Sequence, residues 1–160
     1  MTTVAETPRK NDEKYMRIAL QQAEIATEKG EVPVGGVLVL PDGRHVVGHN
    51  APISMHDATA HAEIRTIRAA CQLTDNYRLT GSTLYVTLEP CTMCAGAIVH
   101  ARIARVVYGA RDPKTGAVES LYRVLDDVRL NHQPQVHGGV LAEACGALLK
   151  DFFRGRRQGG

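Results

Sequence analysis

The stretch Thr83-Leu84-Tyr85-Val86-Thr87-Leu88-Glu89-Pro90-Cys91-Thr92-Met93-Cys94 joins a short strand-like run to a pair of cysteines. Its first six residues are of strand-forming types and predict a strand. Glu89-Pro90 ends that strand, and Pro90 is well placed to open a helix because its missing N–H costs little there. We therefore predict a helix from Cys91 to about Ala101, directly after the strand.

Strands and helices alternate along the rest of the chain. Val34–Leu40 is a continuous apolar run typical of a strand buried on both faces, and Pro41-Asp42-Gly43 turns it into a second strand from Arg44 to His49. Thr59 is the predicted N-cap of a helix from Ala60 to about Cys71. The other predicted elements are a helix from Asp12 to about Gly30, a strand Arg105–Gly109, a short helix around Leu121–Val128, a strand near Gln135–His137, and a last helix with a buried stripe of Leu141, Ala144, Cys145, Leu148, Leu149 and Phe152.

This order of elements predicts the fold class. Strands that alternate with helices imply a three-layer α/β/α arrangement, and we expect one domain over residues 12–157 with flexible ends at 1–11 and 158–160. Apolar residues make up 44% of the chain and charged residues 22%, values typical of a globular rather than a disordered protein. The formal net charge of +2 is too small to establish a nucleic-acid partner.

The sequence shows no sign of export or of a membrane span. Met1–Thr7 lacks the apolar region of a signal peptide, and no stretch approaches the ~20 apolar residues that cross a bilayer. The four cysteines could form two disulfides, but Cys-x-x-Cys with a remote His-x-Glu favours metal binding in a reducing compartment. We therefore expect a cytoplasmic protein.

Two motifs supply a ligand set typical of zinc. His61-Ala62-Glu63 offers an imidazole, and Pro90-Cys91-Thr92-Met93-Cys94 offers two thiolates at i and i+3 on one helix face. One His and two Cys suit zinc, and three protein ligands leave a fourth tetrahedral position open for water. Both motifs open a predicted helix, where the helix dipole favours thiolates.

Glu63 is the predicted proton shuttle. Zinc lowers the pKa of a bound water towards ~7. A carboxylate outside the coordination shell can take that water's proton and pass it to the ring and the leaving amine. The H-x-E…P-C-x-x-C pattern is a described signature of zinc-dependent nucleobase deaminases, so the expected reaction replaces an amine on an amidine-like carbon by a carbonyl.

Simpler interpretations of these residues stay open. Cys-x-x-Cys alone also fits a redox pair or half of a structural zinc site, and Cys71 or Cys145 could close the tetrahedron. Both of these cysteines lie on apolar helix faces, where a free cysteine usually only packs. The histidines outside the motif are expected at the surface or in hydrogen bonds, although His56 could line the pocket.

Several longer stretches carry a family resemblance. The most family-specific stretches are the loop Gly109-Ala110-Arg111-Asp112 and the tail Phe152-Phe153-Arg154. The zinc motif is less specific, because it identifies only a superfamily. Further stretches are 31–35, 57–64, 76–79, 83–91, 93–97, 106–112, 114–117, 131–132 and 156–157. Through them the chain, from about Asp12 to Gln158, closely resembles the bacterial tRNA-specific adenosine deaminases. The resemblance implies a cytidine-deaminase-like fold with a central five-stranded mixed sheet.

The resemblance also implies a substrate and a set of roles. The substrate would be the wobble adenosine of a tRNA anticodon stem-loop, converted to inosine by a homodimer that holds one Zn²⁺ per subunit and contacts RNA from both subunits. His61, Cys91 and Cys94 would be the metal ligands, with Glu63 as the proton shuttle. The implied substrate contacts are Asn50 and the Ala62 backbone at the flipped base, Asp112 and Lys114 near the anticodon-loop backbone, and Phe153, Arg156 and Arg157 at flanking nucleotides.

General chemistry is compatible with these contacts and with simpler ones. Unpaired bases are bound by stacking and base-edge hydrogen bonds, and clustered arginines bind phosphate. Equally, Asn50 could be a turn residue, Asp112 a local loop cap and the arginines a solvated helix end. Ala51, Ser54 and Glu119 depart from the family pattern, which affects the expected loop contacts.

Two other functions compete with tRNA deamination. One is a deaminase of free guanine, cytosine or a nucleoside with the same zinc chemistry. The other is a non-catalytic zinc module that only binds RNA, and it requires four protein ligands to the metal.

Overall fold

The computed structural model describes the backbone of residues 9–158 and the side chains of residues 9–156. The predicted flexible ends at 1–11 and 158–160 fall largely outside these residues and stay predictions, as does the domain boundary at 157. Arg157 has no described side chain. Within the described part, none of the helices combines the length and apolar character that crossing a membrane requires.

One mixed sheet forms the middle layer. Its strands follow the order β2-β1-β3-β4-β5, with β1 antiparallel to β2 and β3, and with β3, β4 and β5 parallel. The strands are β1 Gly35–Val39, β2 His45–His49, β3 Thr83–Leu88, β4 Arg105–Ala110 and β5 Gln135–Gly138.

Helices cover both faces of this sheet. They are α1 Asp12–Glu28, α2 Pro52–Met55, α3 Ala62–Thr74, α4 Thr92–Ala101 and α5 Ala142–Gln158, with a one-turn 3₁₀ helix at Val124–Asp126. Successive strand residues point to opposite faces. Val37, Tyr85 and Val107 accordingly pack with α1 and α5, whereas Leu38, Leu84 and Val106 pack with α3 and α4. The predicted three-layer α/β/α fold with a five-stranded mixed sheet is confirmed.

Two predicted helices start or extend differently in the structure. Thr59 is not an N-cap, because its N–H and hydroxyl both donate to Asp57 Oδ1 in a local turn, and α3 begins only at Ala62. The predicted helix at Leu121–Val128 is limited to the single 3₁₀ turn. Backbone N–H groups of this segment do not form the i→i−4 bonds of an α-helix. Leu121 N–H donates to Gly116 O, and Val124 N–H donates to Ala117 O.

The predicted stripe of the last helix is too wide. Cys145 is buried and Leu149 is half-buried, as expected, but Ala144 is exposed. Ala144 is rotated by about 100° around the helix from its neighbour Cys145. Because the helix contacts the sheet along a narrow line, Ala144 lies in solvent.

A buried ion pair fastens the start of α1 to the sheet. Asp12 and Arg105 are 0% and 2% exposed, and both guanidinium Nη atoms donate to the carboxylate at 2.8 Å. Tyr85 Oη donates to the same carboxylate at 2.9 Å. Although burial raises the pKa of Asp12, these hydrogen bonds lower it overall. A buried charge is strongly destabilising when the partner that neutralises it is removed.

Replacing Arg105 by alanine is expected to destabilise the protein by about 3–5 kcal/mol, because the Asp12 carboxylate stays buried without its cation. Urea unfolding of the purified variant measures the change. The matched control is Arg17→Ala, which removes an exposed i,i+4 pair with Glu13 and should cost less than about 1 kcal/mol. Equal losses in both variants would show that the buried pair contributes no more than a surface one.

Candidate zinc centre and substrate groove

Two helix starts bring the predicted metal ligands together. His61 is the N-cap of α3 and Cys91 the N-cap of α4, both with extended backbone, and neither side chain caps its own helix. Both side chains are therefore free to project towards a common centre. Cys94 lies in the first turn of α4 and is 0% exposed.

The distances among the three ligand atoms fit a tetrahedral zinc site. His61 Nδ1 lies 3.5 Å from Cys91 Sγ and 3.5 Å from Cys94 Sγ. All three atoms lie within 4.8 Å of one another. Zn–S bonds of ~2.3 Å and Zn–N bonds of ~2.0 Å at the tetrahedral angle place nitrogen and sulfur roughly 3.5 Å apart. The residues present can therefore hold zinc without rearrangement.

Protonation of the cluster is shared among the ligands. Hydrogen bonds from Cys94 and His61 lower the pKa of Cys91 to about 4. A hydrogen bond with Cys91 raises the pKa of His61. A separate hydrogen bond with Cys91, together with burial, raises the pKa of Cys94. The environment of Cys91 thus favours the thiolate form, and a divalent cation can replace the protons of the other two ligands.

Glu63 is buried beside this cluster without belonging to it. The carboxyl lies in the first turn of α3 and is 4% exposed. Among the described residues the ligand group consists of His61, Cys91 and Cys94 alone. Burial raises the pKa of Glu63 to about 7, and a carboxyl of that pKa can both accept and release a proton near neutral pH.

No further cysteine completes the tetrahedron in the described part of the chain. Cys145 packs on the α1 and α5 side of the sheet against Gly109, and Cys71 packs with the core under α3. His56 is exposed at the end of α2 and also lies outside the ligand group. The three-ligand arrangement argues against a structural zinc and against the non-catalytic zinc module.

Asn50 and Ala62 contact each other at the start of α3. Ala62 N–H donates to Asn50 Oδ1 at 2.8 Å, which fixes the orientation of the amide. No bond from Asn50 Nδ2 is found within residues 9–156, where every buried side-chain polar atom has a partner, so this nitrogen reaches solvent. Asn50 thus contacts the first residue of α3 and does not serve only its own turn. The base contacts of Asn50 and Ala62 stay predictions.

Most of the predicted RNA-contact residues line one groove. Asp112 and Lys114 form one wall, and Phe153 and Arg156 on α5 form the other, around a volume of about 960 Å³. Phe153 is 46% exposed. The cationic side chains of the lining are Arg111, Lys114, Lys150, Arg154 and Arg156, against the single carboxylate of Asp112. The structure thus joins two segments that are distant in sequence into one groove, here called the basic groove.

Asp112 is already engaged within its own loop. Its Oδ1 accepts hydrogen bonds from the N–H groups of Lys114 and Thr115, and its Oδ2 accepts one from Thr115 Oγ1. The loop-cap interpretation of Asp112 therefore describes its carboxylate in this structure. A contact with RNA stays a prediction.

Two buried glutamates had no assigned role in the sequence prediction. Glu31 accepts from the N–H groups of Ile53 and Ser54 and from the Ser54 hydroxyl, and so caps α2. Glu89 accepts from the loop that follows β4. Burial alone raises the pKa of Glu89, but hydrogen bonds from the Glu119 and Ser120 backbone and the Ser120 hydroxyl lower it to about 2. Glutamates next to buried strands signal such contacts, because a buried carboxylate requires partners.

Comparisons with known proteins identify relatives over nearly the full length. Residues 9–110 match the family described as the cytidine and deoxycytidylate deaminase zinc-binding region. A tRNA-specific adenosine deaminase of Haemophilus influenzae is 54% identical over 149 residues, 92% of this chain and 86% of the relative. One of Bacillus subtilis is 48% identical over 147 residues, covering 92% and 91%.

A solved structure agrees with these relatives. It comes from work on A-to-I editing by tRNA:A34 deaminases at the wobble position of transfer RNA. It superposes with a TM-score of 0.82 at 49% identity, covering 85% of this chain and 99% of the other.

Proposed function

The chain belongs to the tRNA-specific adenosine deaminases, and on this basis we propose that it hydrolyses the wobble adenosine of a tRNA anticodon to inosine and ammonia. The observation that carries the proposal is the buried Glu63 carboxyl beside a ligand group of three. That arrangement provides a metal with an open position and a separate proton carrier, as hydrolytic deamination requires.

The reaction follows from the roles of the protein groups. When bound, zinc acts as a Lewis acid that lowers the pKa of a water in its open position. The Glu63 carboxylate would accept one proton from the attacking water and deliver it to the ring nitrogen as the water oxygen adds to C6. It would then accept the second proton of that oxygen and deliver it to the departing amine. The C6–N bond breaks, a C6 carbonyl remains, and one water is consumed for each ammonia released.

Asn50 provides the base contact in this proposal. Its oxygen is held by Ala62 N–H, and in this proposal the amide nitrogen donates to an acceptor on the adenine edge. The adenosine must first leave the stack of the anticodon loop, since the reacting carbon is otherwise inaccessible. A fixed donor inside a small site then discriminates among the extruded bases.

The variant Asn50→Asp isolates this contact, because it keeps an oxygen for Ala62 N–H and replaces the amide donor by an acceptor. We expect kcat/KM for an anticodon stem-loop to fall about 10–100-fold, the equivalent of losing one buried hydrogen bond. Steady-state kinetics with zinc content and thermal unfolding measured in parallel check this. Wild-type kcat/KM in a folded, zinc-loaded Asn50→Asp protein would rule out the donor role.

The basic groove provides the RNA contact. Phosphates of the loop backbone are attracted by Lys114, Lys150 and Arg154, and Phe153 exposes an aromatic face on which an unpaired base can stack. Arg156 Nη2 now donates to Gly30 O at 3.3 Å, an exposed contact that RNA can replace. Arg157 is proposed to contribute to the same surface.

A homodimer and a cytoplasmic location complete the proposal. Exposed apolar side chains that a second copy can cover include Ile53 and Met55 on α2 and Leu121 and Tyr122 beyond β4. A tRNA substrate and cysteines that are all free suit a reducing compartment. Sedimentation equilibrium tests the dimer, and a monomer at all concentrations would exclude it.

The test of the function is a deamination assay on an anticodon stem-loop with adenosine at the wobble position. Free adenosine, cytidine and guanine are assayed beside it. Inosine formed only in the stem-loop supports tRNA deamination. Turnover only of free bases or nucleosides retains the zinc chemistry and overturns the tRNA substrate, in favour of a small-molecule deaminase.

A further inference from the structure

Glu89 lies between β3 and α4 and takes no part in the proton transfers. Its carboxylate is 2% exposed and collects donors from residues 111–121, here called the 111–121 loop. Glu89 Oε2 accepts from the N–H groups of Val118, Glu119 and Ser120 at 3.1, 2.8 and 2.9 Å. Glu89 Oε1 accepts from Asp112 N–H at 3.0 Å and from the Ser120 hydroxyl. One side chain thus closes the loop at both of its ends.

The same loop contacts both functional regions. Its first half, through Asp112 and Lys114, lines the basic groove. Its middle pairs with the metal-ligand segment, since Gly116 forms an isolated antiparallel bridge with Cys91 and Ala117 N–H donates to Pro90 O at 2.8 Å. The loop is therefore a physical connection between the groove and the zinc ligands.

A carboxylate is required for this arrangement. The two oxygens offer about four lone-pair sites to the converging donors, so Oε2 shares its lone pairs among three N–H groups, and hydrogen bonds to a charged acceptor are stronger than neutral ones. Glutamine offers one oxygen, and its amide N–H groups would face the backbone N–H groups of the loop. The space is also closed, because a Cβ on Gly116 would lie 2.4 Å from Glu89 Cδ and 2.6 Å from Asp112 O.

We infer that Glu89 is a positioning residue: it fixes the 111–121 loop against Pro90-Cys91, so that the groove holds substrate RNA at the correct distance from the zinc centre. This inference rests on the proposed RNA substrate. The ligands are also held by the helix starts, since His61 is the N-cap of α3, Cys91 is the N-cap of α4 and Cys94 lies in the first turn of α4, so zinc binding does not rest on the loop alone.

The test compares Glu89→Gln with wild type on the anticodon stem-loop. We expect KM to rise about 10–100-fold, with kcat within about twofold of wild type, because a displaced loop weakens binding of substrate and transition state alike. Zinc per protomer should stay at the wild-type value. Hydrogen exchange should accelerate at the amides of Val118, Glu119 and Ser120 and stay unchanged in β3 and α4.

Gly116→Ala is the second variant, since it disturbs the same contact without altering the glutamate. Gly116 has no positive φ, so alanine there acts through its clashes with the Glu89 carboxyl and with Asp112 O, both of which belong to the same contact. The matched control is Gly146→Ala in α5, where no atom lies within 4 Å of the added Cβ, and its KM should equal that of wild type.

Each outcome decides the inference. A raised KM with retained zinc in both Glu89→Gln and Gly116→Ala supports it. Loss of zinc, a fall in kcat at constant KM, or unchanged KM in either folded variant overturns it. Failure of wild type to deaminate the stem-loop would instead overturn the proposed function, so the two failures are distinguishable.

Discussion

Replacing Glu63 by glutamine is expected to lower kcat on the anticodon stem-loop by about 10²–10⁴-fold, because the amide cannot carry the proton between water, ring and leaving amine. Glutamine has nearly the same shape, and Glu63 lies outside the ligand group, so zinc should remain bound. Single-turnover inosine formation and metal analysis of the same sample measure the two effects.

The control for this variant is Glu143→Gln. Glu143 occupies the first turn of α5 as Glu63 occupies the first turn of α3, but it is exposed and distant from the ligands. It should deaminate at the wild-type rate. Retained activity in Glu63→Gln would refute the proton-shuttle role, and loss of zinc would show that the carboxylate supports the metal instead.

Cys94→Ala should abolish activity and metal binding together. Without Cys94 only two protein ligands remain, and water in place of the missing thiolate binds the ion much more weakly. The side chain is fully buried, so the variant also loses packing, at about 1 kcal/mol for a group of this size. Zinc titration with a competing chelator, combined with the stem-loop assay, measures the loss.

Cys145→Ala is the matched variant for Cys94→Ala. Cys145 is also buried, at 1% exposure, but lies on the other face of the sheet. It should keep zinc and activity at a similar small cost in stability. Equal zinc loss in both variants would show that general destabilisation, and not ligand removal, releases the metal.

Zinc affinity should also depend on pH. The pKa values of His61 and Cys94 are raised, so each group keeps its proton to a higher pH than usual, and the metal must displace that proton. Affinity is therefore expected to increase as pH rises and to fall in acid. An affinity that is flat with pH would contradict this assignment of the protons.

The sequence by itself determined the features that depend on neighbouring residues. Alternating strands and helices, the strand Thr83–Leu88, and the ligand residues at helix starts follow from local patterns such as side-chain periodicity and i, i+3 spacing. The two zinc motifs also predicted which residues meet. The structure supplied the distances, with His61 Nδ1 at 3.5 Å from each sulfur.

The tertiary structure alone decided the contacts of the buried charges. Asp12 contacts Arg105 because α1 packs on the sheet. Glu89 contacts Val118 to Ser120 because β3 and β4 pair in parallel and bring the segments that follow them together. The true start of α3 likewise depended on a competing turn at Asp57 and Thr59. Side-chain type predicts that a buried carboxylate needs donors, but which donors it meets is set by strand pairing across long sequence separations.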